Sequence, residues 1–322
     1  MNEFELIDRY FRRAPHNADV RVGIGDDAAV IAPAPGMEYA LTVDMLVEGR
    51  HFAADADPRC LGHKALAINL SDLAAMGALP RFALLAGALP RADEAWVAAF
   101  MEGFDALARQ YDVELVGGDT TRGPRNLCIT AIGELPAGSA LTRKGAHPGD
   151  IVYVSGSLGD AALALAVAGG ETDVEPVARA PLQRRLDAPD PRVALGVALR
   201  GIATAAIDVS DGLVGDLGHV VAASGFGATV RLMAIPCAEP LRAKLRGGER
   251  DLALRCLLAG GDDYELCFTA PPSQRNRVAA LALALALPLT PIGEMTAEAG
   301  LVVRDGHGHP LAALPHAFDH FR

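Results

Sequence analysis

Cysteine, lysine and aromatic residues are all scarce in this 322-residue chain, and each scarcity removes a class of function. The five cysteines, Cys60, Cys128, Cys237, Cys256 and Cys267, form no CxxC pair and no other metal-ligand spacing. Neither a zinc site nor a disulfide framework is therefore expected, and buried thiols in a reducing compartment are. There are only three lysines, and the net charge is −11. Nucleic-acid binding rests on basic surface, so no nucleic-acid partner is expected. The longest apolar run ends at Pro288, far short of the ~20 residues that a membrane span needs. The N-terminus, Met1-Asn2-Glu3-Phe4-Glu5, is acidic rather than a charged-then-apolar leader. The expectation is a cytoplasmic protein with no membrane partner.

What is abundant is Ala, Leu, Val and Gly. Hydrophobic residues are 51% and charged residues 21%, the balance of a globular chain with tightly packed helix and sheet layers. The length favours two domains. Residues 134–150, with Pro136, Gly138, Ser139, Gly145, Pro148 and Gly149, read as the linker between them. This gives an N-terminal domain over 1–137, expected to hold metal and ATP, and a C-terminal α/β domain over 138–322. The fold class expected is mixed α/β (α+β).

One local arrangement recurs: an apolar strand, then an acid with Gly, Ser or Thr beside it. Val113 to Val116 runs into Gly117-Gly118-Asp119-Thr120-Thr121-Arg122-Gly123, which reads as a strand ending at a glycine turn. It could be a plain polar turn or a mouth that holds a cation and a phosphate. Gly23-Ile24-Gly25-Asp26-Asp27-Ala28 follows another strand. Two acids would repel a bare pyrophosphate there, so the loop suits a metal or a hairpin turn better than a dinucleotide. Asp44 interrupts the strand Tyr39–Val47, where a carboxylate must be exposed, paired or bound to a cation. Residues 58–77 read as a buried helix, apolar on nearly every side, with Asp72 on its apolar stripe. That charge needs a partner, either a cation or, at eight residues' distance, Lys64. Ser155-Gly156-Ser157-Leu158-Gly159-Asp160 reads as a strand–turn–helix anion cradle. In Ile207-Asp208-Val209-Ser210-Asp211-Gly212 the hydroxyl or second acid is placed to cap the following helix.

Asp27, Asp44, Asp72, Asp119, Asp208 and Asp211 thus lie at turns or buried positions, and no His or Cys joins them at ligand spacing. An all-oxygen set favours Mg²⁺, and Mg²⁺ on carboxylates plus phosphate oxygens is how phosphoryl-transfer sites are built. Neither a Walker A lysine motif nor a protein-kinase glycine loop is present, so any nucleotide chemistry must use another scaffold.

Taken together, the motifs at 23–28, 69–78 (Asn-Leu-Ser-Asp-Leu-Ala-Ala-Met-Gly-Ala), 117–123, 141–143 (Leu-Thr-Arg), 207–213 and 260–266 (Gly-Gly-Asp-Asp-Tyr-Glu-Leu) resemble the thiamine-monophosphate kinase family. The resemblance runs in order through nearly the whole chain. It implies a two-domain aminoimidazole-ribonucleotide-synthetase-like fold whose N-terminal sheet domain forms a homodimer interface. It implies ATP as co-substrate, thiamine monophosphate as acceptor and several Mg²⁺ ions. Carried over residue by residue, it makes Asp27, Asp44, Asp72, Asp119 and Asp208 metal ligands, with Thr42 beside them and Asp211 on a further ion. Gly118, Asp119, Arg143 and Ser210 would contact ATP; His51, Asp262 and Phe318 would contact the acceptor. The family commonly has Glu where this chain has Asp262, which shortens that contact by one methylene. No covalent nucleophile is implied: transfer would be direct, in line and metal-assisted. The alternatives are another ATP-using member of the superfamily, such as a selenophosphate-synthetase-like enzyme, or a non-catalytic Mg-nucleotide-binding regulator. The former should carry a reactive Cys near its N-terminus, whereas the first cysteine here is Cys60.

Overall fold

Small residues decide how the layers of this protein meet. In the computed structural model, which describes residues 3–12, 16–24, 28–32 and 34–316, the chain divides into two compact units. One comprises Met1–Leu73 with Ala78–Ala140, the other Ala74–Gly77 with Leu141–Arg322.

The first unit contains α1 (Glu3–Leu6), β1 (Val20–Val22), β2 (Val30–Ile31), β3 (Met37–Val47), α2 (Pro58–Ala75), β4 (Leu79–Leu89), α3 (Glu94–Gln110), β5 (Glu114–Arg122) and β6 (Asn126–Pro136). After α1, Ile7–Phe11 continues the helix with a wider, π-type turn. Four strands form one sheet in the order β3-β6-β4-β5, with β4 and β5 parallel and the other pairs antiparallel. α2 is buried on nearly every side, as its lack of a polar stripe requires. Its crossing with α3 is a backbone-to-backbone contact. A Cβ on Gly62 would stand 1.9 Å from the Phe100 carbonyl oxygen, and one on Gly103 would stand 1.9 Å from that of Arg59. Asp93 starts α3 by accepting the Trp96 N–H at 3.2 Å, the usual N-cap bond.

The second unit contains β7 (Ile151–Ser155), α4 (Asp160–Ala168), α5 (Pro176–Asp187), α6 (Val193–Leu199), β8 (Ala205–Val209), α7 (Leu213–Ser224), β9 (Gly227–Arg231), α8 (Glu239–Arg246), α9 (Arg250–Ala259), β10 (Glu265–Ala270), α10 (Arg275–Ala284), β11 (Leu289–Thr296) and β12 (Gly300–Arg304). Its sheet runs β12-β9-β11-β7-β10-β8, antiparallel except for β12 against β9. Strands β7 and β10 and the edge strand β8 are buried at every residue. Strands covered on both faces read as continuous apolar runs, and any acid within them is conspicuous. Asp208 and Glu265 are the two acids so placed.

Candidate active site

The stretch read as a strand ending at glycines is corrected by the structure. β5 does not stop at Val116; it continues through Gly117, Gly118 and Asp119 to Arg122. The glycines mark an irregularity of register instead: Leu115 pairs with Ala83 and Gly117 with Leu84, leaving Val116 as an extra residue. Gly118 has φ +152°, and a Cβ there would lie 1.9 Å from the Leu85 carbonyl oxygen. Only glycine lets the two strands approach so closely at this point. The register sets Asp44 in one row with Ile129, Leu85 and Gly118. The next row holds Met45, Cys128, Ala86 and an exposed Asp119.

Thr42 and Asp44 alternate along β3, which puts both on the same face of the strand. The Thr42 hydroxyl donates to Asp72 Oδ2 at 2.5 Å. Asp72 is half-buried rather than buried, and this hydroxyl on the sheet is one of its partners. The negative charge of Asp44 also reaches Cys128, whose thiol is pushed up by burial and by that carboxylate. His51 lies in the turn after β3. Its Nδ1 accepts the Val47 N–H at 3.0 Å and its own N–H donates to the Val47 carbonyl at 2.9 Å. This closes the turn and fixes the ring, with Nδ1 as acceptor. An ion pair between Arg125 and Glu48, with the guanidinium 4.7 Å from the Trp96 ring, pins the strand ends beside it. Asp27 and Phe318 lie outside the described residues. Among those described, no three His, Cys, Asp or Glu side chains come together as a ready metal site.

In the second unit the predicted residues do meet. Asp208 is 4% exposed near the end of β8, paired across the ladder with Leu266. Ser210 and Asp211 follow, and Gly212, not either of them, is the N-cap of α7. The expected cap is reversed: Asp216, one turn inside the helix, accepts the N–H groups of Ser210 and Asp211, both at 3.1 Å. Burial, with the neighbouring Asp211 charge, raises the Asp216 carboxyl to about 7. The segment 260–264 lies along this loop. The Asp262 N–H donates to the Ser210 carbonyl at 2.9 Å, and the Tyr264 N–H to that of Val209 at 2.9 Å. Asp262 (φ 69°) and Tyr264 (φ 49°) both have left-handed backbone, at a cost of about 1–2 kcal/mol each. The Ser210 residue expected at the nucleotide and the Asp262 residue expected at the acceptor are thus joined by a single hydrogen bond. Arg143 is exposed in the loop before β7, where its carbonyl accepts from the Ser224 hydroxyl at 3.3 Å.

The anion cradle expected at Ser155–Asp160 is occupied by the protein's own acids. Asp263 Oδ2 accepts the Gly159 N–H at 2.7 Å, and the Ser155 hydroxyl donates to Glu265 at 2.5 Å. The backbone N–H at the helix N-terminus is still satisfied, but by a carboxyl side chain of the protein itself. Motif reading of one segment could not reveal this, because the partner acids lie about a hundred residues downstream. Burial pushes the Cys237 and Cys256 thiols up to about 11 and that of Cys267 higher still.

With this geometry in hand, the class is defined by two domain families. Residues 25–135 match the AIR synthase related protein N-terminal domain, and residues 147–306 its C-terminal domain. The chain is 48% identical to the thiamine-monophosphate kinase of Salmonella typhimurium, covering 99% of this chain and 98% of that one. It is 37% identical to that of Bacillus subtilis, covering 91% of each. The chain belongs to the thiamine-monophosphate kinase family. Among solved structures it is similar to thiamine-monophosphate kinase from Stenotrophomonas maltophilia, at TM-score 0.86 and 47% identity over 94% of this chain and 96% of that one. It is also similar to AaThiL complexed with AMPPCP and TMP, at TM-score 0.78 and 30% identity over 90% and 89%. Hydrogenase maturation protein HypE, at 22% identity and TM-score 0.77, shares the fold over 97% of this chain and 95% of its own.

Proposed function

We propose that this chain transfers the γ-phosphoryl group of ATP to the phosphate of thiamine monophosphate, giving ADP and thiamine diphosphate. The observation that carries the reading is the interlocked pair of loops at 208–212 and 260–264, built from the two motifs assigned to nucleotide and acceptor. It is supported by relatives named for this activity, matched over at least 91% of their length.

The bonds balance simply. An oxygen of the acceptor phosphate forms a new P–O bond to the γ-phosphorus as the bond to the β-phosphate oxygen breaks. The acceptor is already an oxyanion, so no strong general base is required. What the protein must supply is alignment and the means to bring two anions together. The donor set fits magnesium: Thr42, Asp44, Asp72, Asp119, Asp208 and Asp211 offer oxygen only, and the Thr42–Asp72 pair is half-exposed to a ligand. These residues, with Asp27, would hold Mg²⁺, which neutralises phosphate charge when bound. Gly118, Asp119, Arg143 and Ser210 are assigned to ATP. His51, Asp262 and Phe318 are assigned to the acceptor, with Asp262 reaching one methylene less far than a Glu. The Asp216 carboxylate orients the Ser210–Asp211 backbone from behind.

The reading includes a homodimer formed through the first unit's sheet, supported by Leu41, Val43 and Met45 standing 65%, 60% and 52% exposed along the edge strand β3. It also includes a cytoplasmic location, supported by the five free cysteines.

The test is incubation with Mg-ATP and a panel of phosphate acceptors, followed by mass spectrometry of the products. Thiamine diphosphate should form with stoichiometric ADP. Brief incubation with γ-labelled ATP should leave no label on the denatured protein. Label bound in amounts matching the enzyme would replace direct transfer with a phosphoenzyme route.

A further inference from the structure

Asp262 is the acid assigned to the acceptor, yet its backbone is one that non-glycine residues seldom adopt, and so is that of Tyr264 two residues on. Something must hold both. The strand that follows begins at Glu265, which is fully buried, with no exposed side-chain surface. Arg192 grips this carboxylate with both arms of its fork, Nε to Oε2 at 2.7 Å and an Nη to Oε1 at 2.5 Å. Arg185 adds a bond to Oε1 at 2.7 Å and reaches the Asp263 carbonyl at 3.4 Å. Ser155 donates a further bond to Oε2. The cluster closes over Gly156, where a Cβ would stand 2.1 Å from Glu265 Oε1. Arg185 comes from the last turn of α5 and Arg192 from the residue before α6. Two helices are thereby tied to the base of the Asp262 turn. At the tip, the Tyr264 hydroxyl donates to Asp262 Oδ1 at 3.0 Å, which aims the carboxylate itself.

A doubly gripped buried glutamate is more than packing needs. Replacing a buried ion cluster with apolar residues is often neutral for stability, so its retention calls for a geometric reason. A bidentate arginine–carboxylate pair fixes orientation as well as distance. The same turn also hydrogen-bonds the Ser210 loop, so a shift of the turn would displace Asp262 relative to the nucleotide side.

We propose that Tyr264, together with Arg185 and Arg192 acting through Glu265, are positioning residues that hold the Asp262 carboxylate in the orientation that recognises the cationic part of the acceptor. The proposal rests on the assignment of Asp262 to the acceptor made above. Tyr264 aims the side chain, and the arginine clamp holds the backbone that carries it.

The test is steady-state kinetics in both substrates for Tyr264→Phe, Arg192→Lys and Asp262→Ala, and for each of the first two combined with the third. Tyr264→Phe removes one hydroxyl and keeps the ring. It should raise the acceptor KM about 3- to 10-fold, leaving that for ATP within about twofold. Arg192→Lys keeps the charge but loses the fork, and should act in the same direction. In the Asp262→Ala background neither change should raise the acceptor KM further, because no carboxylate is left to aim. Equal rises in both KM values, or effects that multiply undiminished in the double variants, would show a merely structural role and overturn the proposal. If Asp262→Ala raises the acceptor KM while Tyr264→Phe and Arg192→Lys do not, the positioning role alone fails. If Asp262→Ala leaves the acceptor KM unchanged, the assignment of Asp262 fails and the positioning role with it.

Discussion

At the scale of single residues, the second unit is dominated by acids placed where water is scarce. Asp263 is the extreme case: 2% exposed, with Oδ2 on the Gly159 amide and no hydrogen-bond partner for Oδ1. Burial raises its carboxyl well above the ordinary range, and the Asp160 charge adds to the rise against the Gly159 hydrogen bond. The sign of the consequence follows from proton counting. Between the ordinary carboxylate value near 4 and the raised folded value, the unfolded chain has lost its proton and the folded chain keeps it. Stability therefore falls as pH rises through that window, by at most about 1.4 kcal/mol per pH unit for one group. Asp263→Asn removes the titration. Denaturant melts of variant and wild type should show the difference moving in the variant's favour from about pH 4 upward. A constant difference across that range would mean that Asp263 is ionised in the fold.

At the scale of elements, the α2–α3 crossing sets the geometry of the first unit, because Asp72 reaches Thr42 only if α2 lies close to its neighbours. Gly62 and Gly103 each face the other helix's backbone at a distance that excludes a Cβ. Gly62→Ala or Gly103→Ala should destabilise the protein by about 1–3 kcal/mol through forced separation of the helices. Gly87, in the middle of β4, is the matching control. A Cβ there would meet only Leu127 Cδ2, at 3.9 Å, and would enter an apolar gap lined by Phe11, Trp96 and Phe100. Gly87→Ala should stabilise by roughly 0.4–1 kcal/mol, since it restricts the unfolded chain without strain in the folded one. Chemical denaturation of the three variants reads both signs. A destabilised Gly87→Ala beside a neutral Gly62→Ala would refute this account of the packing.

At the scale of the whole molecule, a net charge of −11 opposes the approach of two anionic substrates, and the proposed Mg²⁺ would offset it. Ligands that bind the folded form alone stabilise it by mass action, about 2.7 kcal/mol at a hundred times Kd. Mg²⁺ with a non-hydrolysable ATP analogue should therefore raise the melting temperature by several degrees over that in chelator. Asp72→Asn should shrink that rise together with turnover. A full rise in the variant would make Asp72 a structural partner of Thr42 only. The edge strand β3 carries the second prediction at this scale. Val43→Lys places a charge in the row of exposed apolar side chains and should convert the proposed dimer to monomer in light scattering. A wild type that is monomeric at micromolar concentration would remove the dimer from the reading.

Periodicity and punctuation were enough to locate α2, the start of α7 and the strands β3, β7 and β8, because buried strands and helices must be apolar where they touch the core. The carboxylates at 72 and 208 stood out for the same reason: an acid in an apolar frame needs a partner. Tertiary structure alone decided the rest. Gly117 and Gly118 look like a turn in sequence, but the neighbouring β4 holds them in a strand by a closeness of approach that one segment cannot show. The loop before α7 is fastened from inside the helix, since Asp216 is buried against the Ser210 and Asp211 amides, while neither Ser210 nor Asp211 caps the helix. The cradle at Ser155–Asp160 is filled by Asp263 and Glu265, which the β7–β10 pairing brings from about a hundred residues away. Local sequence determines which backbone groups need partners and which side chains cannot face water; only the folded chain decides which distant residue meets each need.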